Sequence, residues 1–398
     1  MAGQRRLSPR AVQPLVDRAS PLRGPYLVKH RGLWIALRMI DLVAALLPRR
    51  GAAPPARGAR VLIAVGGHLG DAVIATSALR WLASARPDAE IGVLAPSWSR
   101  AVFDGHPMVA RVHELDHWRS SRRPGRLARW RRYRSTRSRA IAELRRAGYH
   151  VAVDLYDHFP NAAGVLWASA IPSRVGYRSG GLGPLYSTAL PWSDDGTHVM
   201  ERHQLLLQHA VAAPTADLPM TYALAPVPGA AAARAIALAG ASGSYVVMHT
   251  GAGDPGKEWP IDRWRAVLDG LATRRMRVIL TGQGAAHLAD ARSLAAGRPD
   301  CVELCDQLQW SELVAVVAGA RAVLSVDTVV AHLAAAASVP SVIVWSAIND
   351  PARWAPRSEC TIVLVQDMSS PGEGIANVSA PDVLSALDSL LAPQRPLP

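Results

Sequence analysis

Three short stretches of this sequence place chemically capable side chains where a strand pattern gives way to a helix pattern. In the first, Gly66-Gly-His-Leu-Gly-Asp71 follows the apolar run Val61–Val65. Asp71 falls at or near a helix start, where a carboxylate has two uses. It can cap free backbone N–H groups, or it can stand at a ligand site as a general base. In the second stretch, Thr250-Gly-Ala-Gly-Asp-Pro-Gly-Lys-Glu-Trp-Pro260, Gly251 and Gly253 let backbone N–H groups approach an anion closely. Lys257 adds a compact positive charge, although the G-x-x-x-x-G-K-[ST] spacing is absent, and a plain exposed loop has the same composition. In the third, Ser325-Val-Asp-Thr328 ends an apolar run, and Val329 opens a helix containing His332. A strand end followed by a helix N-terminus favours anions. Thr328 can donate its hydroxyl and N–H there, Asp327 can cap locally or bind a ligand hydroxyl, and His332 is either a site residue or a core histidine.

Lysine usage draws attention to one of these loops. Of 44 basic residues only Lys29 and Lys257 are lysines. A chain that uses Arg almost everywhere keeps Lys where a compact ammonium is needed, or by chance. Metal chemistry has little support. Cys301 and Cys305 are four apart, Cys360 is distant, and no Asp-x-Asp or clustered His/Cys spacing accompanies them, so no metal site is expected. There is no G-x-S-x-G element and no protein-kinase motif set.

The surrounding pattern supplies the scaffold. Short apolar runs at Val61–Val65, Ile91–Leu94, Val112–Leu115, Val151–Asp154 and Val175–Tyr177 alternate with helical stretches, as a parallel α/β domain requires. A second alternation begins at Tyr245–Met248 and continues through Arg277–Leu280, Ala322–Ser325 and Ser341–Val344, with helices at 261–274, 285–296, 311–319, 329–337 and 380–391. The 398 residues suit two such domains at about 100–200 residues each. The expected division is 1–58, a basic arm with a helix over Tyr26–Leu47 and a linker over Pro48–Gly58; 59–225, a first Rossmann-like domain; and 226–398, a second, entered through the Pro214–Pro228 connection. Residues 1–25 read as irregular. Ligands bind such sheets beyond the carboxyl ends of their strands.

Composition excludes several classes. Hydrophobic residues make up 49% of the chain and charged residues 19%, which is not the balance of a disordered protein. The longest membrane-like stretch, Trp34–Leu47, contains Arg38 and Asp41 and is too short to span a bilayer. No secretory signal is visible in the first 30 residues, so a cytoplasmic protein is expected. The net charge of +13 is concentrated in two segments. Residues 1–60 carry twelve basic residues against Asp17 and Asp41, a net +10, and residues 119–146 carry twelve Arg against Glu143, a net +11. Such segments are solvated faces or docking faces for an anionic partner. No zinc-finger spacing, RNP motif or basic recognition helix supports nucleic acid. The amphipathic 26–47 segment suits either a membrane interface or its own protein.

Taken together, the motifs resemble glycosyltransferase family 9, the ADP-heptose:lipopolysaccharide heptosyltransferases. The likeness rests on Val61–Leu79 with Leu69-Gly-Asp71, on His249-x-Gly-Ala-Gly253 with Lys257-x-Trp-Pro260, on Ser325-Val-Asp-Thr-x-x-x-His332-Leu-x-Ala-Ala335, and on Asn349-Asp-Pro351 with Arg353. These come in the family's order and cover roughly residues 60–360.

The resemblance implies a GT-B fold, α/β, with two Rossmann-like domains facing a central cleft that closes to assemble the site. It implies inverting, metal-independent transfer of a heptose or related sugar from an ADP-sugar, with no cofactor, to a lipopolysaccharide core or other anionic lipid-linked glycan. By motif position, Asp71 is the catalytic base and Lys257 stabilises the departing diphosphate. Thr250, Gly251, Gly253, Lys257, Asp327, Thr328 and His332 make up the donor site. A place in cell-envelope biosynthesis follows, on the cytoplasmic side of the inner membrane with peripheral contact to it. Three positions depart from the family pattern. Val329 stands where a Gly is usual, Ser346-Ala-Ile replaces Gly-Pro-Thr, and Ser77 replaces a common Pro. Val329 keeps open the alternative of a non-catalytic protein of this fold that binds the membrane or an envelope glycan assembly.

Overall fold

The computed structural model describes residues 6–7, 26–28, 30–47, 58–121, 123–211, 218–240, 244–346, 348–365 and 374–392. Lys29, most of the 1–25 segment, most of the Pro48–Gly58 linker and the start of the Pro214–Pro228 connection lie outside these residues. The chain divides into two compact units, one of Val16–Ala225 and one of Met1–Leu15 with Pro226–Pro398.

A two-residue strand, β1 (Arg6–Leu7), belongs to the second unit, where the sequence pattern indicates only irregular chain. The first unit is built on β2 (Arg60–Ala64), β3 (Glu90–Ala95), β4 (Arg111–Glu114), β5 (Val151–Asp154), β6 (Ser173–Tyr177) and β7 (Thr188–Leu190). All pair in parallel, in the order β4-β3-β2-β5-β6-β7. The second unit contains β8 (Tyr245–His249), β9 (Arg277–Thr281), β10 (Cys301–Glu303), β11 (Ala322–Val326), β12 (Ser341–Trp345) and β13 (Thr361–Val365). Its order is β1-β13-β12-β11-β8-β9-β10, parallel except for β1 against β13. The central strands read as continuous apolar runs because helices cover both faces of the sheets, so alternate positions are equally buried. Val61, Leu62, Ile63 and Ala64 are all buried, as are Val323, Leu324 and Val326.

Each sheet reverses its strand order once. In the first the chain moves outward from β2 through β3, then returns to place β5 on β2's other side. In the second it does the same at β8 and β11. A loop leaving the carboxyl end of a strand beside such a reversal opens into the crevice where α/β sheets bind ligands. Asp71 follows β2, Lys257 follows β8, and Asp327 and Thr328 follow β11.

Several elements differ from the sequence pattern. The helix expected over Tyr26–Leu47 forms only at Arg31–Ala44. Tyr26 and Leu27 lie outside the helix and make other bonds. The Tyr26 hydroxyl donates to Asp41 at 2.8 Å, and the Leu27 N–H donates to the Ser179 carbonyl at 2.8 Å. The helix rests on its own unit, with Leu37 and Ala44 buried and Asp41 accepting the Leu182 N–H at 2.7 Å. The Val199–Val211 and Gly229–Ala239 helices and the strands β7, β10 and β13 are additions to the expected elements. The first of those helices buries Arg202 and His203 alongside Leu206 and Leu207, which blurs its apolar stripe.

Candidate functional site

The first constellation is assembled at the end of β2. Gly67 has φ +75°, a conformation glycine adopts without steric cost. A Cβ there would run into the Asp71 carboxylate, and one on Gly66 would strike the Tyr156 ring. Asp71 is the third residue of the helix Leu69–Ala85 and forms a reciprocal cap. Its Oδ2 accepts the His68 N–H at 2.6 Å, while its own N–H donates to the His68 side chain. The capping role open in the sequence is therefore realised. Asp71 also stands at the strand-order reversal, and Oδ1 makes no hydrogen bond to a described residue. Burial pushes the Asp71 carboxyl above the ordinary range. The His68 N–H and the neighbouring His68 and His158 imidazoles oppose this, and Asp157 adds to it.

The sequence reading missed the companions of Asp71, which follow β5. His158 Nδ1 lies 2.5 Å from Asp157 Oδ1, the Trp192 indole donates to Asp157 Oδ2 at 2.9 Å, and the Ser179 hydroxyl donates to the Asp157 carbonyl at 2.6 Å. The Tyr156 and His158 rings lie 5.7 Å apart, and the Tyr156 ring also packs against Gly66 and Gly67. The available signal was the Asp-His pair just beyond a buried strand. Its value depended on knowing that β5 pairs with β2.

The second constellation gathers residues from three loops of the other unit. Lys257 ends a short turn, Pro255–Lys257, in which the Asp254 side chain accepts the Gly256 N–H at 2.9 Å. The Lys257 ammonium lies 2.6 Å from Asp327 Oδ2, and the Asn349 amide donates to that same oxygen at 2.8 Å. Thr328 caps the helix Val329–Ala336, its hydroxyl oxygen accepting the Val330 N–H at 3.3 Å. That leaves the hydroxyl hydrogen to donate, with Ser325 Oγ 3.3 Å away. His332 is buried on the next turn. Burial lowers it to about 4, opposed by Asp327 and reinforced by Lys257, so it is neutral near pH 7.

The remaining expected residues shape the loop. Thr250 is buried, and Gly253 is exposed. Gly251 lies against the His287 ring, which occupies the space a Cβ would need. Gly256 packs the same way on Ile348, so a residue at one of the positions that depart from the family pattern braces the Lys257 loop. Ser346 Oγ, just beyond β12, is buried with no hydrogen-bond partner among the described residues, a feature the sequence did not signal. Val329 is half-buried at the first position of its helix. Cys301, Cys305 and Cys360 are free thiols. The first constellation thus offers a half-buried carboxylate that can accept a proton. The second offers an ammonium and a helix N-terminus that can hold an anion.

Comparison with known proteins gives a consistent picture. Residues 137–375 match the family model described as glycosyltransferase family 9 (heptosyltransferase). Lipopolysaccharide heptosyltransferase 1 of Pseudomonas aeruginosa is 28% identical over 299 residues, covering 73% of this chain and 79% of that protein. Lipopolysaccharide heptosyltransferase 3 of Escherichia coli K12 is 26% identical over 343 residues, covering 83% and 95%. Among solved structures, E. coli ADP-heptose LPS heptosyltransferase II superposes with a TM-score of 0.68 at 22% identity, covering 83% of this chain and 98% of that one. That likeness establishes a common fold.

Proposed function

The chain belongs to glycosyltransferase family 9 and is a glycosyltransferase, and from that premise we propose that it moves a heptose or closely related sugar from an ADP-sugar to an anionic, lipid-linked glycan of the lipopolysaccharide-core type. The observation that carries the donor half is the Lys257–Asp327 ion pair beside the Thr328-capped helix. Departure of a nucleoside diphosphate develops negative charge on a phosphate oxygen. A fixed ammonium and the positive end of the helix dipole stabilise that charge without reorganising at the moment of reaction. Asp327 and Asn349 hold the ammonium in place, and Thr328 supplies a hydroxyl donor.

The acceptor half rests on Asp71. An acceptor hydroxyl loses its proton to the carboxylate as its oxygen attacks the anomeric carbon. The bond from that carbon to the diphosphate oxygen breaks, and ADP leaves with the electron pair. Attack opposite the leaving group inverts the anomeric centre. Lys257 and the helix N-terminus supply the positive charge, so the reaction proceeds without a metal.

Transfer from ADP-heptose to a de-acylated core oligosaccharide, run with a chelator, tests this reading. Calorimetric titration with ADP, UDP and GDP accompanies it. The expected result is turnover in the chelator and selective ADP binding that is lost in Lys257→Ala. If none of the three nucleotides binds, the ADP-sugar donor is refuted. Turnover that requires an added divalent ion refutes the charge assignment.

A further inference from the structure

The helix Arg31–Ala44 is seated on its unit by a narrow stripe, yet it is apolar far beyond that stripe. Leu37 and Ala44 are buried, and Asp41 ties the helix to Tyr26 and to the Leu182 backbone. Outside this stripe, Ile35, Met39, Ile40, Leu42, Val43, Leu46 and Leu47 are exposed, Leu46 by 85% and Val43 by 63%. These are seven of the thirteen exposed large hydrophobic side chains among the described residues, concentrated in thirteen consecutive positions. At 100° per residue they sweep a continuous arc of about 160°. Arg31 and Arg38 lie along one edge of that arc. Scattered exposed leucines need no explanation, but a contiguous patch of this kind marks an interaction surface.

We propose that this face docks on an anionic phospholipid surface, with the helix lying in the plane of the interface. Charge complementarity selects the occupant. The sequence from residue 1 to 60, which includes the helix, carries a net +10. Ala44 packs in the same core cluster as Ala140, Leu144 and Ala147 of the helix Arg126–Ala147. That second helix exposes Arg126, Arg131, Arg134, Arg139, Arg145 and Arg146. An apolar arc edged by arginines, on a unit that carries a second arginine-rich helix, matches a bilayer with acidic headgroups better than a neutral protein groove. With 14 residues the helix is too short to cross the membrane, and no helix of the described residues is long and apolar enough to do so.

The face is connected to the Asp71 constellation through the 179–182 loop. Leu37 packs against Gly181, the Ser179 carbonyl accepts from Leu27, and the Ser179 hydroxyl donates to the Asp157 carbonyl. A docked helix therefore holds the unit that carries Asp71 against the surface in which a lipid-linked acceptor is anchored. This last step rests on the acceptor reading above. The docking itself does not, because it is measured without donor or acceptor.

The test is sedimentation of the full-length protein with phosphatidylcholine vesicles and with vesicles that also contain phosphatidylglycerol, alongside the Met39→Glu/Val43→Glu/Leu46→Glu variant. All three positions are exposed, and the variant retains wild-type turnover on a soluble acceptor. Preferential binding to the anionic vesicles is expected, weakened by salt and reduced on the order of tenfold or more in the variant. Equal sedimentation with both vesicle types, or unchanged binding by the variant, overturns the proposal. A dye on Val43→Cys distinguishes the other occupants. A blue shift that appears only on adding anionic vesicles supports docking. A blue shift in the vesicle-free protein overturns it, assigning the face to a second copy if the protein is dimeric and to the chain's own N-terminal residues if it is monomeric.

Discussion

Asp71 has two roles that a single substitution can separate. Asp71→Asn keeps an oxygen to accept the His68 N–H, now 2.6 Å from Oδ2, but cannot take a proton from a hydroxyl. General-base catalysis is worth roughly 10²–10⁴-fold, so kcat falls by that factor, about 2.7–5.4 kcal/mol of barrier. Stability responds differently. Burial raises the folded-state value of Asp71 above its unfolded one, so the fold favours the protonated carboxyl. The stability this gives is complete below the unfolded value of about 3.9 and is lost as pH rises through the folded value. At neutral pH the ionised carboxylate is therefore a burden on the fold, and the Asn variant melts at or above wild type. Asp71→Ala removes the cap as well, at a cost of about 0.5–2 kcal/mol. For a unit of this size that is roughly 2–4 °C per kcal/mol, offset in part by loss of the charge. The assays are initial-rate transfer from the ADP-sugar across pH, together with thermal unfolding of all three proteins. Wild-type kcat/KM should fall on the acid side at a pH above the ordinary carboxylate range, a limb absent from the residual activity of Asp71→Asn. Turnover of Asp71→Asn within about threefold of wild type would refute the base assignment. A melting point for Asp71→Asn as low as that of Asp71→Ala would show that the charge itself supports the fold.

Two further outcomes are expected. Lys257→Ala loses on the order of 10²–10³ in kcat, and Asp327→Ala, which frees the ammonium, loses less. The double variant is non-additive by about 0.5–3 kcal/mol, because both changes act on one ion pair, whereas additive losses in a double-mutant cycle would separate their roles. Asp154 is buried against Tyr186 and the Ala162 N–H, and burial raises it to about 6. Its contribution to stability is full below about pH 3.9 and lost as pH rises through about 6. Asp154→Asn should therefore gain in melting temperature relative to wild type at pH 8 but not at pH 4, and an equal change at both pH values would contradict that reading.

The sequence alone determined what depends on local pattern. Buried parallel strands read as short apolar runs, so Val61–Val65, Tyr245–Met248 and Ser341–Val344 were legible. The candidate-site loops could be picked out because each follows such a run. The Gly, Lys, Asp and Thr of the proposed donor loops could be named because their chemistry belongs to residue type. The sequence could not say which loops share a crevice. That depends on strand order, and pairing β5 with β2 joins segments some ninety positions apart, leaving no periodicity to detect. The tertiary structure therefore brought Tyr156, Asp157 and His158 to Asp71, and placed Lys257 on Asp327 with Asn349 sharing the same oxygen. It also seated the N-terminal helix on its own unit along a narrow stripe and left the rest of its apolar surface exposed. A helix apolar over most of its circumference can bury only the stripe its neighbour has room for. Where that stripe falls was fixed by the adjacent Gly181 and Leu182 and by Tyr26, two places far apart in the sequence.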